Sequence, residues 1–475
     1  MRTTPNITAK QHRMRACMLG LLFILPAHAL AQSPPSRDPA ATETAPPQDA
    51  TVNMDEESFE TGQMLRLEEA YQLALSNEEQ VKIAAHELAK SELLPWRAVT
   101  LLTPRAEIGG TFTRNKEEIA FTGAGAAAST TSIIRPLESW QGTFTLTQPI
   151  FQPAFFPTLR LGKESVRQSE QRQDFTKQEV LFGVARAYYD ALRSREQVRV
   201  ARDTLKLTKD ELKQAQARFR VGEVTKTDVL RAEVEVARTE RALIANRNAL
   251  QLAFATLARV VGVPEPLRVA EPTPPISRGE PYEQLVAQAY GQRHDLRAQA
   301  SAIEVSRERK HQVLARYAPQ INAQWQYPRL DTPTFANRDE FWVLTLNFQV
   351  PIFDGGVREL DLIEQQENLT QSELQLERLK KDVGIEVKQT VLAVETLEAT
   401  LETLKKEVAL AEENYRITSK QYGVGLATSL DVNTAVNTLN QVRTQLIDQT
   451  YAYQVSLLAL DRAIGLFGQE YLTQR

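Results

Sequence analysis

Cysteine is almost absent from this 475-residue chain; the only one is Cys17. It lies in an N-terminal stretch that reads as a removable segment. The rest of the chain is therefore expected to hold no disulfide, no catalytic thiol and no cysteine metal ligand. Nor would a cysteine stand at the new N-terminus to carry a lipid. Histidine is scarce as well. Beyond that stretch there are His86, His294 and His311, whose spacing fits no metal-ligand pattern, and each is expected on a helix surface. No internal run is long and apolar enough for a membrane-spanning helix, which needs about 20 residues. Gly123-Ala-Gly125 and Gly355-Gly356 lack the Gly-Lys-Ser/Thr ending of a phosphate loop. Paired acids such as Glu68-Glu69 and Glu412-Glu413 fall on helix-like stretches and read as solvated faces. These gaps argue against an enzyme, and no cofactor and no metal are expected.

Residues 1–31 carry four basic residues and no acid. Lys10, Arg13 and Arg15 precede an apolar stretch, Ala16 to Leu25, and then His28-Ala29-Leu30-Ala31. This is the order of a secretory signal, expected to be cut after Ala31. Subtracting its four basic residues from 56 leaves 52 against 60 acidic ones, a net charge of −8. That balance argues against nucleic acid as a partner. Residues 32–62, rich in Pro, Ala, Ser, Thr and acids, are expected to be a disordered lead-in.

What the chain does have is a duplication. At a shift of 203, Gly222 meets Gly425, Thr225 meets Thr428, Asp228 meets Asp431 and Gly262 meets Gly465. Upstream the shift is 215, matching Ala74 to Ala289 and Pro104 to Pro319. Between these blocks Pro149-Ile150-Phe151 meets Pro351-Ile352-Phe353 at 202, so the first copy holds 13 extra residues (215 − 202) between its two strand-like segments. Each half reads helix, strand, loop, strand, long helix, Val-Gly turn, helix. A Pro-rich connector, residues 264–281, joins the first repeat (63–263) to the second (282–466), and 467–475 form a tail.

Leu159 to Phe219 and Val357 to Tyr422 contain no proline, and each predicts a helix of roughly 90–100 Å. Val387, Val391, Val394, Leu397, Leu401, Leu404, Val408, Ala411 and Tyr415 are spaced by threes and fours, as a coiled-coil seam requires. Period-two alternation predicts strands at about 105–114, 139–149, 320–327 and 341–351. Strands of this length fit an outer-membrane barrel or a half-buried soluble sheet equally well. The signal segment and the polar second face favour the barrel. Four strands cannot close one, because the smallest needs about eight. A membrane-spanning form must therefore be an oligomer, and two or three chains would both serve.

The two Val-Gly turns read as sharp helix ends at Gly222 and Gly425, followed by capping boxes at Thr225/Asp228 and Thr428/Asp431. The signal, the duplicated order, the Pro-Ile-Phe strand exits and the paired tips VGEVTKTDV and VGLATSLDV together resemble the TolC family of outer-membrane factors. The resemblance covers about Leu65 to Gly465. It implies a mainly α fold with a β-barrel part: a homotrimer whose long α-helical barrel continues into a 12-strand transmembrane β-barrel, with the connector in an equatorial belt. It implies an exit duct in the outer membrane, in contact with outer-membrane lipid. Most of the helical part would lie in the periplasm, with a periplasmic adaptor protein and an inner-membrane pump as partners. Efflux of small molecules is the expected use; protein secretion is the alternative. A secreted coiled-coil tether without a pore is the reading from another class.

By the same resemblance, adaptor-docking positions fall on Val221, Gly222, Glu223, Thr225, Val424, Gly425, Leu426 and Thr428. The acidic constriction of the periplasmic entrance maps to Asp431, where a second acid of some members is Thr434 here. The Asp and Tyr of the family's entrance lock map to Asp228 and Tyr422, but the place of its Arg is Ala427. Asp228 and Asp431 also read as helix caps and Tyr422 as packing beneath its tip, roles that compete with those at an entrance.

Overall fold

A computed structural model describes residues 63–122, 131–264, 267–275, 279–331 and 340–472. The predicted signal segment, the lead-in and Gly123-Ala-Gly125 lie outside them. The first half runs β1 (Gln63–Leu65), α1 (Leu67–Asn77), α2 (Glu79–Ser91), α3 (Leu94–Val99), β2 (Arg105–Arg114), β3 (Ile119–Thr122), β4 (Thr131–Arg135), β5 (Glu138–Phe151), α4 (Phe155–Arg220) and α5 (Lys226–Val261). The second runs β6 (Leu267–Val269), α6 (Tyr282–Gln292), α7 (His294–Ala315), β7 (Gln320–Leu330), β8 (Val343–Gln349), α8 (Val357–Gly423), α9 (Ser429–Ala463) and α10 (Gln469–Leu472).

The long helices are α4, 66 residues, and α8, 67 residues. Helix α4 starts four residues before Leu159, because Pro157 sits in its first turn, where a missing N–H costs nothing. Along α8 the spaced apolar stripe turns inward: Val387, Val394, Leu401, Leu404 and Ala411 are buried. Helix α9 packs along α8, and α5 along α4, as two helical hairpins.

The largest core cluster draws on both halves. Leu181, Val184, Tyr188 and Leu192 of α4 are fully buried among Ala70 and Ala74 of α1, Leu257 and Val261 of α5, and Tyr451 of α9. A charged node ties the halves again. Arg293 meets Asp295 at 2.7 Å and Glu386 at 2.6 Å; Arg462 meets Glu386 at 2.7 Å and Glu179 at 2.6 Å. The connector folds back, and its β6 pairs in parallel with β1. Tyr188 Oη fastens the pair by donating to the Ala270 carbonyl at 2.6 Å while lying 2.9 Å from the Leu65 carbonyl.

Four strands form one antiparallel sheet in the order β2-β5-β7-β8, so β5 and β7 join the two repeats and β2 and β8 are its edges. Every residue of β2 and β8 is exposed, Ile108 at 85%, Leu346 at 66% and Phe348 at 65% among them. A half-buried soluble sheet would cover one of those faces. Residues 115–138 are expected as an exposed loop between strands; among the described residues there, β3 pairs antiparallel with β4. Ile119, Phe121, Ile133 and Ile134 carry enough strand preference to extend the backbone there. Among the described residues no helix is long and apolar enough to cross a membrane.

Candidate functional site: the paired helical tips

Each hairpin ends in the same construction. Helix α4 stops at Arg220, and Gly222 takes φ +79°. Gly222 N donates to Phe219 O and Glu223 N to Arg218 O, both at 3.0 Å. These two bonds satisfy carbonyls that a helix end leaves open, and glycine adopts the left-handed backbone they need without a Cβ penalty. The second tip repeats this with Gly425 at φ +82°: Gly425 N donates to Tyr422 O (3.1 Å) and Leu426 N to Gln421 O (2.8 Å). Each following helix is held by a capping box. Thr225 N donates to Asp228 Oδ2 at 3.1 Å, and Asp228 N returns a bond to Thr225 Oγ1 at 3.4 Å. The equivalents are Thr428 N to Asp431 Oδ2 (2.8 Å) and Asp431 N to Thr428 Oγ1 (3.3 Å).

The docking candidates thus divide into two sets. Gly222, Gly425, Thr225 and Thr428 make the turns and caps. Val221, Val424 and Leu426 project from them into solvent, Leu426 at 80% exposure. Glu223 is exposed and held by Arg218 Nε at 3.0 Å.

The two acids differ in setting. Asp228 Oδ1 accepts a 2.7 Å hydrogen bond from Ser429 Oγ of the other tip. That bond, with those from Thr225, holds its carboxyl below the usual aspartate range. Asp431 is exposed, and among the described residues its hydrogen bonds are all to Thr428, which lowers its pKa too. Tyr422 is only 4% exposed, packed with Val432 and Val436 beside Tyr415 and Ala427. Among the described residues its hydroxyl has no hydrogen-bond partner, and burial raises its pKa. Among the described residues Asp228 and Tyr422 thus share no hydrogen bond, and each is held by the other tip instead. Ala427 sits in the apolar cluster, and a different arginine acts across the tips. Arg218 lies 4.9 Å from the centre of the Tyr422 ring and donates from Nη1 to the Tyr422 carbonyl. Arg218 and Ser429 carry no sequence signal of this role, since their partners lie 204 and 201 residues away.

Beneath the tips lies a buried acidic group. Glu211 of α4 and Glu235 of α5 are both buried, each with an Oε1 that has no partner among the described residues. Tyr415 hydrogen-bonds to the Glu211 carboxylate, yet burial pushes Glu211 up to about 7. Glu211, Tyr422 and Ser429 help line a cavity of ≈ 10 Å³, room for about one water. Of the histidines, His86 is exposed, His311 meets Glu308 at 3.2 Å, and His294 is half-buried. His294 Nδ1 lies 3.0 Å from Gln171 Oε1, because α7 packs on α4 there. Among the described residues no group of three His, Cys, Asp or Glu is placed to hold a metal ion.

A family model described as outer membrane efflux protein matches residues 70–263 and 285–466, one block per repeat. The alkaline protease secretion protein AprF of Pseudomonas aeruginosa is 23% identical over 420 residues, covering 82% of each chain. The outer membrane protein TolC of Escherichia coli is 22% identical over 422 residues, covering 86% of this chain and 83% of its own. Among solved structures, the outer membrane protein VceC of Vibrio cholerae superposes with a TM-score of 0.68 at 18% identity, over 84% of this chain and 96% of that one.

Proposed function

The chain belongs to the outer membrane efflux protein family, and on that footing we propose that it is the exit duct of a tripartite system for small-molecule efflux. It is an outer-membrane channel of the TolC family and not an enzyme. Membership sets aside the pore-less secreted tether.

The observation that carries the finer reading is the open sheet. Strands β2 and β8 each have one sheet neighbour among the described residues, and both present exposed apolar side chains. Unpaired strand edges in lipid would cost several kcal/mol per polar group, so copies must close the sheet. Three copies would give twelve strands and a barrel wide enough for export; two would give eight and a filled interior. The homotrimer would use its hairpin tips as the periplasmic entrance. Val221, Val424 and Leu426 are apolar side chains held out by rigid turns, which suits docking on a periplasmic adaptor fed by an inner-membrane pump. The mass of the particle purified from outer membranes, corrected for detergent, tests this. A trimer is expected, and a dimer or monomer would sink the duct.

Asp431 is the proposed acidic constriction, motivated by its exposure at the second tip. Bilayer recordings of Asp431→Ala should show weaker cation preference and weaker block by divalent ions; unchanged selectivity would leave Asp431 as a cap only. Protein secretion stays as a second reading because AprF, named for protease secretion, matches over most of the chain. Deletion should sensitise cells to toxic small molecules under the efflux reading and leave their tolerance unchanged under the secretion reading.

A further inference from the structure

The contact between the two tips runs one way. The first tip offers a carboxylate, Asp228, to Ser429 Oγ of the second. It also offers a cation, Arg218, to the Tyr422 carbonyl and ring. Two related but distinct faces are joined, as in a heterologous interface. In a duplicated chain each face used has a counterpart left over. At the 203-residue shift the counterpart of Asp228 is Asp431, and that of Ser429 is Lys226. Both leftover side chains are exposed. Asp431 bonds only within its own cap among the described residues.

A heterologous contact repeated from copy to copy closes into a ring when the rotation allows it. Placing the first tip of a second copy against the second tip of this one sets Lys226 where Ser429 stands in the within-chain junction. Asp431 then stands where Asp228 does. The counterpart of Arg218 is Gln421, also exposed, so the between-copy junction loses the arginine and gains a lysine on the other side of the turn.

We propose that Lys226 of one copy forms an ion pair with Asp431 of the next, so that the tips are joined by a hydroxyl–carboxylate bond within a chain and by an ion pair between chains. This rests on the ring-forming duct proposed above. The ion pair is exposed at the entrance, so salt screens it more than the partly covered Asp228–Ser429 bond. Three such pairs also offset the charge of an Asp431 ring, which gives Lys226 a part in setting the selectivity of the pore.

The predicted removal of Cys17 leaves the mature chain free of thiols and makes the test clean. Full-length protein carrying Lys226→Cys and Asp431→Cys, isolated from outer membranes and oxidised, should run as covalent dimers and trimers on a denaturing gel. The pair Asp228→Cys and Ser429→Cys should crosslink within one chain, at monomer mass. Because Asp431→Cys removes a cap, the unsubstituted protein is also treated with a water-soluble carbodiimide. Peptide mapping should then find Lys226 joined to Asp431, and Lys226→Gln should abolish that product. In bilayers, Lys226→Ala should raise cation preference, opposite to Asp431→Ala. The pairing is overturned if the particle is trimeric and the within-chain control closes, yet neither the cysteine pair nor the carbodiimide product forms between copies. A particle that is not trimeric by mass overturns the duct reading itself, a separate result.

Discussion

The two tips share a turn and differ in what surrounds it. Gly222 and Gly425 take nearly the same φ, and Thr225 and Thr428 build the same capping box. Yet the aromatic before the turn is Phe219 in the first tip, 43% exposed, and Tyr422 in the second, 4% exposed. Asp228 reaches across to Ser429, whereas Asp431 stays within its own cap. Glu211 is a buried acid beneath the first tip, and the matching position in the second repeat is Asn414. A repeated motif therefore specifies a local bend, while its neighbours decide whether each side chain packs, bonds across or faces water.

The largest effect should separate the two aromatics. Tyr422→Ala removes a buried ring and is expected to cost about 3–5 kcal/mol at the second tip. Phe219→Ala, half in water, should cost less than about 1 kcal/mol. Hydrogen exchange of the tip amides would register the contrast, and equal losses of protection would mean that the tips are alike.

Next comes the buried acid. Glu211 is raised from 4.5 to about 7, chiefly by burial and also by Glu235 of α5, against the lowering bond from Tyr415 of α8. Tyr422 of α8 lines the same cavity. An acid raised on folding contributes stability that is fully present below about pH 4.5 and is lost as pH rises through about 7. The change should be on the order of 2–3 kcal/mol. Exchange protection near the first tip should fall over that window. Glu211→Gln should flatten the profile and be the more stable form at pH 8, and an unsubstituted protein indifferent to pH would rule out the buried charge. No comparable pH step is expected at Asn414.

The smallest effect sharpens the likeness. Gly222→Ala and Gly425→Ala should each cost about 1 kcal/mol, from the left-handed backbone alone. An added Cβ meets nothing within 4 Å at Gly222 and only Arg218 Nη2 at 3.6 Å at Gly425. Unequal costs in thermal unfolding would show that one turn is held by more than its own backbone.

Much of the architecture was legible because it is written in short-range periods. Threes and fours from Val387 to Tyr415 mark the buried stripe of α8, and the alternation from Trp342 to Val350 runs through β8. The misses have physical causes. The helix read from the proline-free stretch beginning at Leu159 starts earlier, at Phe155, because Pro157 is harmless in a first turn. The β1–β6 pair is only three residues long on each side and depends on Tyr188, which comes from a distant helix. At the tips the turns were legible, whereas Arg218 and Ser429 were not, because each meets its partner from the other repeat.

By itself, then, the sequence determined the duplication, the helix lengths and the two capped turns. Those depend on residues within a few positions of one another, where backbone geometry and local hydrogen bonds decide the outcome. Only the tertiary structure decided that Asp228 meets Ser429, that Arg218 covers Tyr422 and that Glu211 is buried. Those contacts arise when two helical hairpins pack side by side, and which side chains then meet depends on the register between them.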